Sequence, residues 1–195
     1  MALTVVTPPT ATPVSLDDIR LHCRIDIEDD DPLIFSWIRE ATDIVQQRAD
    51  RTLCTTTWKL TLDGFPCTIL LPRPPIVSVS SIKYFDAGGT QQTLSPTMYK
   101  VDTVNNPARI VPAYGQSWPT VRAEINAVEV TYVAGYGTAS TVPDAAKAAI
   151  RLLCAHRNEN REPVNSGNIT TPLPESVDAL IAHLYTGMMH YPGVG

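Results

Sequence analysis

The residues of this sequence that could do chemistry are four histidines, four cysteines and two glycine turns. The cysteines form no CxxC pair, and no cysteine–histidine spacing matches a zinc site. The turns at 86–89 and 135–137 lack both the GxGxxG spacing and a following Lys-Ser/Thr, and no G-x-S-x-G elbow occurs. We therefore expect no enzyme, no metal and no cofactor. The histidines and cysteines are His22, His156, His183, His190, Cys23, Cys54, Cys67 and Cys154.

An acidic run, Glu28, Asp29, Asp30 and Asp31, could offer carboxylate oxygens to a divalent cation. It lacks the alternation and the turn glycine of a calcium loop. Pro32 follows the run, and proline is common in the first turn of a helix, where acidic side chains also interact favourably with the helix dipole. We therefore interpret the run as a helix start capped by Asp31, not as a cation site.

Composition limits the classes of protein to which the chain can belong. It has 195 residues, enough for one sizeable domain, and a net charge of −5, which argues against a protein that grips DNA phosphates. No apolar stretch is long enough for a membrane span, and residues 1–10 lack the pattern of a signal peptide, so we expect reduced cysteines. Their spacing alone leaves a disulfide open. Seventeen prolines predict many short elements.

Helical patterns occupy both ends of the chain, in residues 15–51 and 142–187. Ser15 and Asp18 form a capping-box pattern before a short helix that ends near Arg24. Apolar residues then recur every three or four positions from Ile34 to Val45, which predicts a long helix to about residue 51. A second capping-box pattern, with Thr141 as the cap, Pro143 at the first helical position and Asp144 after it, and a helix start at 174–175 predict two more helices.

In residues 55–134, apolar and polar side chains alternate with a period of two, around Trp58 and around Val130. The turn at 86–89 joins two apolar segments as a hairpin, and five to seven short strands fit the region. The predicted fold class is α+β: a small helical bundle formed by the N- and C-terminal helices, with an inserted antiparallel β-rich region. We expect a single domain over 1–195. Its last residues, 188–195, form a C-terminal tail in which apolar residues have no regular period.

Short motifs recur in a fixed order along most of the chain. They are Pro13–Asp18, His22–Asp26, Asp31–Ile34, Asp50–Leu53, Trp58–Pro66, Pro74–Val79, Ile82–Asp86, Tyr99–Asp102, Trp118–Pro119, Val130–Gly137, Val142–Pro143, Arg157–Glu162 and Leu173–Val177. Their order resembles the head–tail connector proteins of tailed bacteriophages, also called adaptor or head-completion proteins, and their equivalents in gene transfer agents. The chain departs from that family at its end, where apolar residues stand in place of an arginine-bearing tail.

The resemblance implies a structural virion protein located in the neck and assembled in the cytoplasm of the bacterial host. Its implied partners are the portal protein, head-closure (stopper) or tail proteins, and further copies of itself in a ring, typically twelve-fold. Such a ring extends the DNA channel, through which double-stranded DNA passes without specific binding. No membrane partner is expected. The alternatives are another neck or tail protein, such as a tail terminator, and a soluble β-rich ligand-binding module.

Two surfaces are candidates for this role. Residues 17–51 hold ten acidic residues against five arginines, and we expect Glu28, Asp29 and Asp30 to face the channel and to repel DNA phosphates. The tail is apolar without a helical period, and exposed apolar segments mark contact sites. We expect it to contact the portal or a neighbouring copy through Met188, Met189, His190, Tyr191 and Val194.

Overall fold

The computed structural model describes residues 1–26, 28–159, 175–182 and 184. The chain divides into two compact units. The β unit comprises residues 1–10 and 55–136, and the helical unit comprises residues 11–54 together with the described residues after 136. In the helical unit, the N-terminal helices pack against the C-terminal helices. The predicted α+β class, with a β region inserted between two helical segments, is therefore confirmed.

The helical unit begins with α1 (Leu16–Cys23) and α2 (Asp31–Ala49). The predicted capping box is present, because Ser15 Oγ accepts from the Asp18 N–H and the Ser15 N–H donates to Asp18 Oδ2. These hydrogen bonds lower the pKa of Asp18 below its ordinary value, with the Ser15 backbone N–H as the main cause. Arg24 ends α1 in the left-handed conformation, with φ of 54°.

The start of α2 differs by one residue from the sequence prediction. Asp30 occupies the N-cap position and Asp31 is the first helical residue. Asp31 instead accepts a hydrogen bond from Arg20 Nε at 2.8 Å, so its carboxylate joins α1 to α2. Sequence alone could not separate these two roles, because either aspartate is a suitable cap and Arg20 lies on another helix.

The C-terminal part of the helical unit contains α3 (Asp144–Glu159) and α4 (Glu175–Ala182). The predicted capping by Thr141 is wrong, because α3 begins at Asp144 and Thr141 lies in the preceding 3-10 turn, where its hydroxyl donates to the Thr138 carbonyl at 2.8 Å. The Pro143 carbonyl accepts the first bond of α3 from the Ala146 N–H. All four helices contribute buried side chains: Ile19, Ile34, Ile38, Ala41, Val45, Ala146, Ala149, Ile150, Leu153, Val177 and Ile181.

The β unit contains eight strands among the residues that the structure describes. A five-stranded sheet has the order β1-β2-β8-β4-β5 and a three-stranded sheet has the order β3-β7-β6, with every pairing antiparallel. The strands are β1 (Ala2–Thr7), β2 (Thr56–Leu62), β3 (Ile69–Leu71), β4 (Ile76–Phe85), β5 (Gln91–Thr93), β6 (Tyr99–Asp102), β7 (Ala108–Pro112) and β8 (Val128–Ala134).

Alternation along β2 and β8 directs one face of each strand into the core, as predicted. The register pairs Trp58 with Tyr132 and Leu60 with Val130. Strand β1 has no counterpart in the sequence prediction: it adds to β2 at the edge of the sheet, and most of its side chains are exposed. An edge strand that buries little has a weak period-two pattern, so its pairing with β2 is a tertiary feature.

The hairpin predicted at 86–89 joins β4 to β5, with the Gly89 N–H donating to the Asp86 carbonyl at 2.9 Å. Gly89 has a φ of +85°, and a Cβ atom at this position would lie 2.3 Å from Arg122 Nη1. The positive φ therefore favours glycine, whereas the exposed end of the Arg122 side chain can move away from an added Cβ atom.

Asp102 organises the loop between β6 and β7, and its pKa is lowered to about 2. The main cause is the hydrogen bond from the Asn105 side chain, and the Asn105 N–H, Arg109 Nε and Val104 N–H also donate to it. Because the folded pKa is depressed, the stabilisation that these bonds give is complete above the ordinary aspartate pKa of about 3.9 and is lost as the pH falls through about 2.

We expect an NMR titration of the Asp102 carboxyl to give a midpoint near pH 2, with the amide resonances of Val104 and Asn105 moving at the same midpoint. Asn105→Ala should raise this midpoint, because it removes the largest cause of the shift. A midpoint near 4 in the unmodified protein would show that the carboxylate does not hold the loop.

Candidate functional site

The residues that could carry chemistry are not assembled into a reactive site. None of the four cysteines forms a disulfide. Burial, followed by the effect of Cys23, raises the pKa of the Cys154 thiol to about 12, and burial also raises the pKa of Cys54. Such thiols are poor nucleophiles at neutral pH. Within the described residues, no group of three or more His, Cys, Asp or Glu side chains could hold a metal ion.

The acidic run lies at a defined position in the helical unit. Glu28–Asp30 form a 3-10 turn directly before α2, and Asp29 is exposed while Asp30 is half-buried. The Glu28 side chain is outside the described residues. Asp31 is engaged with Arg20, so the acidic charge that faces solvent in this turn comes from the residues before it. The geometry is compatible with a repulsive surface, whereas the channel-facing role stays a prediction.

The other predicted contact surface is the C-terminal tail. Met188, Met189, His190, Tyr191 and Val194 all lie outside the described residues. The last described position, Leu184, is buried, and its carbonyl accepts a hydrogen bond from Arg51 Nε at 2.7 Å. The chain is therefore attached to the helical unit just before the tail begins.

A cleft of about 190 Å³ opens between α2 and α3. Trp37, Ala41, Ile44 and Leu153 provide apolar walls. Its polar rim includes an ion pair between Arg157 and Glu40, whose side chains remain 50% and 43% exposed. The helical period correctly predicted that Trp37 and Ala41 share one face of α2. It did not predict the cleft, because an open space between two helices depends on how both helices pack. The remaining lining residue is His156.

The β unit has one tyrosine, Tyr114, whose side chain is fully exposed to solvent. Tyr114 is fully exposed, at 103%, on a turn that follows β7. The Ala113 N–H donates to the Met98 carbonyl at 2.9 Å, and the Gln116 N–H donates to the Ala113 carbonyl at 2.9 Å. Gly115, with φ of +74°, completes the turn. The adjacent glycine in the sequence indicates a turn, but nothing in the pattern indicates that the aromatic ring stays outside the core.

These features define an α+β protein with an exposed acidic turn, an open cleft and an exposed tyrosine, and its described residues form no catalytic constellation. Residues 13–93 match the model of the family described as Phage gp6-like head-tail connector protein. The resemblance to head–tail connectors that the sequence indicated is confirmed by this match. No curated protein sequence matches the chain. Among the described helices, none has the length and hydropathy required to cross a bilayer.

Solved structures have the same fold. A chain from the neck of an empty gene transfer agent particle, computed with C6 symmetry, is 24% identical with a TM-score of 0.78. Chains from the virion of a native gene transfer agent particle and from its neck, computed with C12 symmetry, are 23% identical, with TM-scores of 0.79 and 0.78. Each comparison covers 98% of both chains. At this identity the likeness establishes the fold.

Proposed function

We propose that this protein is a structural head–tail connector that forms a ring in the neck of a tailed phage or gene transfer agent particle. The observation that carries the proposal is the agreement between the family match over 13–93 and a fold that aligns over 98% of the chain with neck proteins. The ring extends the DNA channel and serves as a platform for the next component of the neck. It assembles in the cytoplasm of the bacterial host.

The partners that we propose are the portal on one side and head-closure or tail proteins on the other. Structures of neck chains computed with C6 and C12 symmetry support a ring, and we propose twelve copies. DNA passes through the ring without specific binding, in keeping with a net charge of −5.

Two other functions have less support. A tail terminator would also be a neck-level structural protein, but the family match names the head–tail connector. For a ligand-binding module, the cleft between α2 and α3 is a poor site, because ligand sites usually measure about 300–1,000 Å³. The cleft between α2 and α3 measures about 190 Å³ and has an open, charged rim.

Electron microscopy of particles that contain a tagged copy of this chain tests the proposal directly. We expect density for the tag at the level below the portal, in twelve copies. Deletion of the gene should give filled heads without tails. Location of the tag in the tail tube or at the capsid surface would contradict the connector function, and a different copy number would contradict the twelve-fold ring.

Reversing the charge of the 3-10 turn Glu28–Asp30, the acidic turn, tests the proposed channel surface. The double substitution Asp29→Lys and Asp30→Lys changes the local charge of every copy from repulsive to attractive for DNA phosphates. We expect particles that assemble but eject DNA severalfold more slowly, with a rate that recovers as salt is raised. Ejection kinetics can be measured by the fluorescence of a DNA-binding dye.

The matched control is Asp43→Lys, which reverses an exposed charge on α2 away from the acidic turn. It should leave ejection unchanged. Equal ejection rates for the double variant and the unmodified particle at low salt would show that the acidic turn does not face the channel.

A further inference from the structure

We propose that β1 binds an extended strand of another neck protein, which adds to the free edge of the five-stranded sheet. The inference rests on the proposed function and deepens it, because it identifies a surface through which the connector holds a neighbouring component. The site is the edge of β1 that faces away from β2. The strand that it takes is uncharged, with apolar and small polar residues in alternation.

The outer edge of β1 offers backbone hydrogen bonds that no described residue takes up. β1 pairs with β2 from Ala2 to Thr7, and in an antiparallel pair every second residue points its N–H and C=O away from the partner strand. Within the part of the chain that the structure describes, the backbone of these six residues is bonded to β2 alone. Such an edge is a template for a further strand.

β1 differs from the other described edges of the β unit in length and charge. The edges formed by β3, β5 and β6 have three, three and four residues, and β6 includes Lys100 and Asp102. The part of β4 that precedes its pairing with β5 is interrupted by two bulges. Short strands, charged residues and bulges are the features that protect natural edges from pairing.

The edge of β1 has little of this protection. It is six residues long, and residues 1–16 contain no charged side chain. Its one irregularity in register lies between Val5 and Thr7, at the end of the strand. Ala2, Leu3, Thr4 and Val5 therefore form a regular and uncharged edge.

The side chains of β1 indicate what the added strand contains. Leu3 packs against the core of the β unit, and Val5, on the same face of the strand, is 48% exposed beside Trp58. Apolar residues of an added strand would cover Val5 and extend the core at this edge. Thr4 lies on the opposite face, where its register partner is Lys59, and a small polar residue fits beside it.

A second copy of this chain is the less suitable partner. Pairing β1 with β1 uses the same edge twice and gives a two-fold dimer, which does not propagate around a ring. The other described edges of a second copy are too short, too charged or too irregular to match β1. The added strand therefore comes from a different protein, and the proposed neighbours in the neck are the portal and the head-closure or tail proteins.

Hydrogen exchange measured by mass spectrometry tests the inference on the full-length protein. The chain is examined alone, with filled heads that lack the connector, and with purified tails. We expect the amides of residues 2–5 that point away from β2 to exchange at least about tenfold more slowly in one of the two mixtures, which also identifies the partner. In the isolated chain, these amides should exchange rapidly at every protein concentration.

Val5→Lys provides a second readout, because it places a charge beside the position of an apolar residue of the added strand. We expect this variant to bind the partner about tenfold more weakly. The matched control is Val77→Lys, which changes a valine that is 58% exposed at a bulge of β4 and should leave binding unchanged. Both valines are exposed, so circular dichroism should show that both variants fold.

The possible failures are distinguishable. Binding to heads or tails without protection of residues 2–5, or with equal affinity for Val5→Lys and the unmodified chain, would overturn the strand addition and leave the connector function intact. Protection that rises with the concentration of the isolated chain would show that β1 pairs with a second copy, which also overturns the proposal. Binding to neither heads nor tails would contradict the connector function itself, and the strand addition with it.

Discussion

Replacing Tyr132 by alanine is expected to reduce the free energy of unfolding of the β unit by about 3–5 kcal/mol. The Tyr132 side chain is fully buried in the middle of β8, opposite Trp58 on β2 and Val79 on β4. Its removal leaves a cavity that neighbouring strands cannot close without changing register. The loss can be measured by urea denaturation, followed by tryptophan fluorescence.

Tyr132→Phe separates packing from hydrogen bonding. The Tyr132 hydroxyl donates to the Pro72 carbonyl at 2.9 Å, so this variant should lose only about 1 kcal/mol. Tyr114→Ala is the matched control at a dilution where the protein is monomeric: it removes the same side chain from an exposed site and should change stability by less than about 0.5 kcal/mol. Similar losses for Tyr132→Ala and Tyr114→Ala would contradict the assignment of Tyr132 to the core.

Truncation of the chain after Gly187 is expected to abolish the joining of heads to tails while the protein still folds. The tail 188–195 is apolar, and its sequence has no period that would bury it against a helix or a sheet. We therefore propose that it is covered by the portal or by a neighbouring copy. The attachment of Leu184 to Arg51 precedes the truncation and is retained.

Two measurements decide this prediction. Circular dichroism and thermal unfolding should match those of the full-length protein within a few degrees. In vitro complementation of heads that lack the connector should fall to the background level. Met188→Ser with Met189→Ser is the milder variant, which keeps the chain length and should reduce joining partially. Normal joining by the truncated protein would show that the tail is not a required contact.

Local signals of the sequence predicted much of this fold. The capping box at Ser15 and Asp18, the alternation in β2 and β8 and the hairpin at 86–89 all act over a few residues, so the sequence displays them directly. The sequence prediction was wrong where two neighbouring residues were equally suitable for the same position, as Asp30 and Asp31 were for the N-cap of α2. Asp30 occupies the N-cap position without a side-chain capping hydrogen bond, and Asp31 accepts instead from Arg20, eleven residues earlier.

One candidate surface could be predicted from the sequence, and another could not. The acidic turn is visible in the sequence, because a run of carboxylates needs no partner to be recognised, and the structure places Asp29 in solvent. The cleft between α2 and α3 combines residues more than 100 positions apart, such as Glu40 and Arg157. No local pattern can encode such a pair.

The sequence by itself determined the α+β class, the positions of the helices and the resemblance to head–tail connectors, since periodicity, capping residues and motif order are properties of the linear chain. Only the tertiary structure decided that β1 forms one edge of the larger sheet, that a cleft opens between α2 and α3 and that Tyr114 stays outside the core. The physical reason is that burial is a relation between distant segments. A tyrosine has the same composition and the same local preferences whether it is buried at position 132 or exposed at position 114.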